Sequence, residues 1–184
     1  MRKVIAALNI TIDGFCDHTA GVPDKEIHQH YTDLLNDGDV ILYGRTTYEL
    51  MEYWRPMVKK PSGEKTMDDF AVAIDKIEKI VFSRSLKTVD WESAKLSEQT
   101  PEEELNRLKK LPGKNIYVGS RSLIIQLLNL NLIDELQLCV HPVVIGQGLP
   151  LFDKIEEQRT FKLLRTRTFK AGAMLMCYDP GSAK

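Results

Sequence analysis

Little in this chain would tie it together covalently or carry it into a membrane. Its three cysteines, Cys16, Cys139 and Cys177, are an odd number at wide spacings in 184 residues. A disulfide framework needs more of them and a zinc site needs paired spacing, so they read as small buried hydrophobes and no metal is expected. No apolar run approaches the ~20 residues of a membrane span, and Met1-Arg2-Lys3 leads into a strand-like segment where a signal peptide would turn apolar and helical. The cytoplasm is therefore the expected compartment. An excess of one charge is also missing: 25 Lys+Arg stand against 26 Asp+Glu, a formal net charge of -1. That balance excludes a nucleic-acid or acidic-lipid binder working by bulk electrostatics. Repeats and long linkers are absent, and the 43% hydrophobic share is spread along the whole chain. Long disorder is excluded, and one domain over residues 1–184 is expected.

Familiar nucleotide and nucleophile motifs are missing too. No G-x-x-x-x-G-K-[ST] or G-x-S-x-G occurs. Gly146-Gln147-Gly148 opens like a dinucleotide fingerprint, but Leu151 replaces the third glycine and Pro150 does not start a helix.

What is present is alternation of strand-like and helix-like segments. Residues 3–10 form a nearly continuous apolar run, as in a strand covered on both faces. Residues 24–35 place Ile27, Tyr31, Leu34 and Leu35 at helical spacing. A buried strand at 40–43 is followed by a helix over 46–54, for which Thr46 and Glu49 predict a capping box. An irregular surface loop is expected over 56–66, around Pro61-Ser62-Gly63, then a helix over 67–77 and a strand over 79–83. Thr100, Pro101 and Glu103 mark the start of a helix ending before Pro112-Gly113. A strand at 115–118, a helix through Leu123, Leu127 and Leu128, and strands at 135–141, 143–145, 161–169 and 174–178 complete the pattern. Residues 170–173 are expected to turn the last hairpin, and the tail from Pro180 to fray. The order implies an α/β fold with a mixed open sheet, mainly parallel, with antiparallel C-terminal strands and helices on both faces.

Ligands of open α/β sheets bind at the carboxyl ends of the strands. Three predicted strands end in a small or hydroxylic residue beside an arginine: Gly44-Arg45-Thr46-Thr47, Ser83-Arg84-Ser85 and Gly119-Ser120-Arg121-Ser122. Glycine permits close approach, helix-start N–H groups face an anion, and guanidinium groups add charge-assisted bonds. The three tips together suit a ligand with several phosphates; simple capping by Ser, Thr and Gly explains each tip taken alone. His28 and His30 stand two residues apart on a helix, so their rings diverge and a shared metal is not expected. His141, before Pro142, reads as a satisfied strand-end residue.

Four segments resemble the dihydrofolate reductase-like superfamily, in particular the RibD C-terminal domain type of the riboflavin-biosynthesis reductases. They are Thr11-Ile12-Asp13-Gly14 after the first strand, Leu42-Tyr43-Gly44-Arg45-Thr46-Thr47-Tyr48-Glu49, and Lys79-Ile80-Val81-Phe82-Ser83-Arg84. The fourth runs from Val118-Gly119-Ser120-Arg121-Ser122-Leu123 through Leu132-Ile133-Asp134-Glu135-Leu136 to Pro142-Val143-Val144-Ile145-Gly146-Gln147-Gly148-Leu149-Pro150-Leu151-Phe152. The resemblance implies a three-layer fold, NADPH as cofactor and a homodimer. Gly44, Arg45, Thr46 and Thr47 would hold the pyrophosphate on one side, and Val118, Gly119, Ser120, Arg121, Ser122 and Leu123 would line the other. Ser83 and Arg84 would meet the ribose 2′-phosphate, and Ala7, Leu8 and the Asp13-Gly14 loop would lie against the nicotinamide. The implied activity is hydride transfer to an imine or carbonyl of a small heterocycle, in the riboflavin pathway a ribosylaminopyrimidine. Asp13, His28 and Tyr48 are the candidate catalytic residues, and Tyr31 and Trp54 join them as candidates for substrate contact.

The chain departs at Ser120, where relatives often carry a second glycine and dihydrofolate reductases join the pair by a cis peptide; a serine argues against that bond but still allows close backbone approach. An ungapped count back from Gly44 puts His28, with Glu26 nearby, where dihydrofolate reductases carry a carboxylate, so folate reduction is not expected. No deaminase signature, H-x-E with P-C-x-x-C, occurs. A stand-alone reductase of another small molecule and a non-catalytic nucleotide-binding module remain open beside the riboflavin-type reading.

Overall fold

Alternation along the strands decides the layers. In a computed structural model, which describes residues 2–181, the order is β1 (Val4–Thr11), α1 (Lys25–Asp37), β2 (Gly38–Gly44), α2 (Arg45–Met51), a 3-10 turn (Glu52–Trp54), α3 (Arg55–Lys59), α4 (Lys65–Lys76), β3 (Glu78–Phe82), β4 (Ala94–Leu96), α5 (Pro101–Lys109), β5 (Asn115–Val118), α6 (Arg121–Asn129), β6 (Glu135–His141), β7 (Lys162–Thr168) and β8 (Met174–Asp179). The strands form one eight-stranded sheet in the order β4-β3-β2-β5-β1-β6-β8-β7. Pairs from β4 across to β6 are parallel; β6–β8 and β8–β7 are antiparallel. Because successive side chains point to opposite faces, Val40, Leu42, Ile116 and Val118 pack with Leu105 and Leu108 of α5 and Ile124, Leu127 and Leu128 of α6. Their neighbours Ile41, Tyr43 and Tyr117 pack on the other face with Leu34 and Leu35 of α1 and Ala73 and Ile74 of α4. The expected mixed sheet, covered on both faces, is the fold found.

Helix starts follow local chemistry where a side chain is available. The Asp24 carboxylate accepts from the Ile27 N–H at 2.9 Å, and Thr100 and Glu103 form the predicted reciprocal box, with bonds of 3.3 and 2.9 Å. The Thr46–Glu49 box does not form. The helix begins one residue earlier, at Arg45 after Gly44, so Thr46 lies inside it and Glu49 instead meets Arg45 at 3.4 Å. Pro56 belongs to α3, not to a loop, since the first turn of a helix needs no N–H from it; the irregular stretch shrinks to the residues between α3 and α4. Residues 143–145 are not a strand. After Pro142 the chain is held by single bonds to the turn leaving β1, Ile12 N–H to Val143 O at 2.9 Å and Ile145 N–H to the Asp13 carboxylate at 3.1 Å. The short edge strand β4 carries no apolar run and has no counterpart in the pattern reading. The β7–β8 hairpin turns at Gly172, whose φ of 88° favours glycine.

Lys79, on β3, is among the largest fully buried side chains of the described residues. Its ammonium donates to Ile77 O at 2.9 Å and Ser93 Oγ at 2.6 Å, and lies 4.1 Å from the centre of the Trp91 ring. Burial pushes it down to about 8 from the usual lysine value. A base weakened by folding is protonated more in the unfolded chain between about pH 8 and 10.5, so it makes stability rise with pH across that window. Urea unfolding of wild type and Lys79→Met at pH 8.5 and 9.5 checks this: the stability gap between them should move in favour of wild type by about 1 kcal/mol.

Candidate functional site

The parallel register of β2, β5 and β1 brings three strand tips to one edge. Leu42 is level with Val118, and Ala6 also pairs with Val118. The chain leaves β2 and β5 directly into α2 and α6, so two helices begin side by side. A hydrogen bond ties them: the Gly44 N–H donates to Ser120 Oγ at 2.8 Å, with Ser120 buried. That bond uses the hydroxyl that would otherwise cap α6. Neither α2 nor α6 has a side-chain cap, whereas α1, α4 and α5 are capped by Asp24, Glu64 and Thr100. The first residues of α2 and α6 line a cavity of about 710 Å³; α3, which continues from the 3-10 turn, also lacks a side-chain cap but starts at Arg55, outside that lining. Open N-terminal N–H groups with the positive end of the helix dipole form a site for anions. This donor set fits a pyrophosphate.

The cavity gathers most of the predicted residues. Ala7 and Leu8 of β1, Gly44, Arg45, Thr46 and Thr47, and Val118, Gly119, Ser120, Arg121 and Ser122 all line it. Arg121 is held by Pro150 O at 2.6 Å and by the Asp153 carboxylate. The peptide bonds of the described residues, Gly119–Ser120 among them, are trans. Gly119 is required by packing, because a Cβ there would sit 2.8 Å from the Tyr43 ring.

Ser83 and Arg84 stand at the tip of β3, next to β2, outside the cavity lining. The Ser83 hydroxyl accepts from the Ser85 and Leu86 N–H groups at 3.1 and 2.9 Å, which shapes the turn. Arg84 is exposed and makes no ion pair among the described residues. Leu123 does not reach the cavity; it is buried in the core between α6 and the sheet.

The candidate catalytic residues divide. His28 lines the cavity beside Trp54, ring centres 5.9 Å apart, and Phe70, 6.4 Å apart. Burial lowers its pKa, which keeps the imidazole neutral. His30 turns to another face of α1, against Tyr31 and Phe169, as the two-residue spacing implies. Asp13 is outside the cavity lining. Its carboxylate accepts from Thr11 Oγ1 at 2.6 Å and from the Ile145 and Gly146 N–H groups, and the Thr11 bond leads in holding its pKa below the usual carboxylate range. It clamps the turn after β1 to the 143–146 segment, and Gly14, at φ 84°, serves the same turn. Tyr48 is also excluded, buried on the inner face of α2 with Trp91 at 6.3 Å. Tyr31 and Trp54 both line the cavity.

Asn9 and Phe70 also line it and were not singled out from the sequence. Asn9 is a polar residue interrupting an apolar strand, a signal that was available. Phe70 lies on an ordinary amphipathic helix and has no local signal.

A family model described as the RibD C-terminal domain matches residues 2–175. The chain is 36% identical over 181 residues to the uncharacterized protein YyaP of Bacillus subtilis, covering 96% of this chain and 94% of that one. Its fold matches a pyrimidine reductase-like protein of Corynebacterium diphtheriae with a TM-score of 0.69, at 15% identity over 99% of this chain and 93% of the other. It also matches a diaminohydroxyphosphoribosylaminopyrimidine deaminase/5-amino-6-(5-phosphoribosylamino)uracil reductase of Thermotoga maritima, with a TM-score of 0.64 at 16% identity, over 98% of this chain and 57% of that one.

Ser120→Ala tests the tie between the two helix starts. The half-buried Gly44 N–H loses its acceptor, so urea unfolding should show a loss of about 0.5–1.5 kcal/mol, and an unchanged midpoint would show that the bond does not hold the tips together.

Proposed function

The chain belongs to the RibD C-terminal domain family, and from that premise we propose that it is an NADPH-dependent reductase of a small planar heterocycle carrying a carbonyl or imine. The observation that carries this reading is the pair of uncapped helix starts, each with a guanidinium in its first turn, opening side by side into one cavity. When bound, NADPH supplies a hydride, two electrons with one hydrogen, to the acceptor carbon of the substrate. Residues Gly44 to Thr47 and Gly119 to Ser122 would hold the pyrophosphate, and Ala7, Leu8 and Val118 the nicotinamide. Arg84, with its guanidinium free on the neighbouring tip, would meet the 2′-phosphate that distinguishes NADPH from NADH.

The residues of the opposite wall supply orientation and dryness. Leu35, Met51, Trp54 and Phe70 line the cavity with apolar surface, which strengthens every electrostatic contact inside it and keeps competing water away. The π electrons displaced from the acceptor carbon settle on the substrate heteroatom, which takes its proton from solvent as the product leaves the cavity. Among the described residues no helix is long and apolar enough to cross a membrane, and Cys16, Cys139 and Cys177 are unpaired; a reducing compartment, the cytoplasm, is part of the proposal. So is a homodimer. Strand β7 ends the sheet with all seven of its residues exposed, the adjacent Leu163 and Leu164 among them, and an edge strand with unpaired N–H and C=O groups is a template for pairing with a second copy.

Two measurements check this. Titration of nicotinamide fluorescence should show Arg84→Ala weakening NADPH by tenfold or more, a loss of about 1.5–3 kcal/mol, with NADH little affected. Equal losses would remove Arg84 from the 2′-phosphate, and no NADPH binding by wild type would end the enzyme reading. Sedimentation velocity should find a dimer that Leu163→Glu/Leu164→Glu converts to monomer.

A further inference from the structure

The cavity wall facing away from the strand tips is built of rings and carries no cation. Trp54 meets Phe70 edge to face at 4.7 Å, and His28, kept neutral by burial, stands against both. Among the lining residues the only guanidinium or ammonium groups are Arg45 and Arg121. Both sit at the helix starts, and both already have carboxylate partners, Glu49 and Asp153. A phosphate monoester placed between the rings would be a desolvated dianion with nothing to pair it.

One polar group that lines the same cavity, Asn9 near the end of β1, is aimed with no freedom left. The His141 ring is buried, and its Nδ1 accepts from the Val22 N–H at 3.1 Å. The proton of this neutral ring is therefore on Nε2, which lies 3.0 Å from Asn9 Oδ1 and donates to it. The same oxygen accepts from the Tyr31 hydroxyl at 3.0 Å. Two donors hold the Asn9 carbonyl, so its amide orientation is settled. The NH2 end has no partner among the described residues, and Asn9 lines the cavity. It presents a fixed donor to whatever occupies the cavity.

We propose that the substrate is an uncharged, planar conjugated carbonyl or imine compound, laid against Trp54, Phe70 and His28 with its heteroatom on the Asn9 amide, and not a phosphorylated ribosylaminopyrimidine. The inference rests on the strand tips being the cofactor's place, which leaves Arg45 and Arg121 engaged there. Stacking of flat rings on aromatic walls supplies the binding, and the Asn9 N–H groups favour the heteroatom on which negative charge gathers as the hydride arrives at carbon.

Isothermal titration calorimetry with isatin, a neutral planar carbonyl, and isatin-5-sulfonate, the same ring with a fixed charge, tests this on wild-type protein with and without saturating NADP+, where no turnover occurs. Isatin should bind at least tenfold more tightly than the sulfonate and than 5-amino-6-(5-phosphoribosylamino)uracil. Trp54→Ala, and Phe70→Leu as a milder change, should each reduce that preference while NADPH affinity, read by nicotinamide fluorescence, stays unchanged. Equal or tighter binding of either charged compound, or no binding of isatin, overturns the inference. The failures separate: isatin preference without NADPH binding would sink the cofactor reading and uphold the substrate class, and NADPH binding with a preference for charge would do the reverse.

Discussion

The hydrogen bond from the Gly44 N–H to Ser120 Oγ is the constraint on which the site depends. It joins the ends of two parallel strands that are not consecutive in the chain, and it does so with the one hydroxyl able to cap α6. Because that hydroxyl is turned toward the neighbouring strand, the first N–H groups of α6 stay open. Gly44 has no side chain with which to close α2. Structural closure of the sheet edge and an anion-ready pair of helix starts are thus consequences of the same contact. The starts of α1, α4 and α5 are closed by Asp24, Glu64 and Thr100, and they belong to the scaffold.

The cavity divides by chemistry. Its strand-tip side offers backbone donors and guanidinium groups, while its helix side offers rings and a neutral imidazole. A dinucleotide with a flat partner matches this division, since the phosphates need positive potential and the ring pair needs a dry, weakly polar gap. The clamps around it are equally polarised. Asp13 holds the loop after β1, and Arg121 holds the segment at Pro150 and Asp153, so the charged groups near the opening are committed to keeping its shape. Asn9 is the exception, committed at its oxygen and open at its nitrogen.

The layers, the parallel-then-antiparallel order of the sheet and the three tips with their arginines were legible in the sequence, because burial on two faces imposes an apolar run and helix starts impose small or hydroxylic residues locally. The capping box at Thr100 and Glu103 was legible for the same reason: its partners are three residues apart. The identical spacing at Thr46 and Glu49 makes no box, because α2 starts at Arg45, which puts Thr46 inside the helix and Glu49 against Arg45. Asp13 and Tyr48 show the limit in another form. Each is a chemically capable side chain in a family motif, yet which way it points is decided by partners distant in the chain, Ile145 and Gly146 for one and Trp91 for the other. Only the tertiary structure decided that Phe70 faces His28 and Trp54, that the Asn9 oxygen is taken by His141 and Tyr31, and that Arg84 stands apart from the cavity. Local patterning reports what a segment will become, because its cause lies within a few residues; the direction of a side chain into a shared space is set by whichever neighbours the fold brings against it.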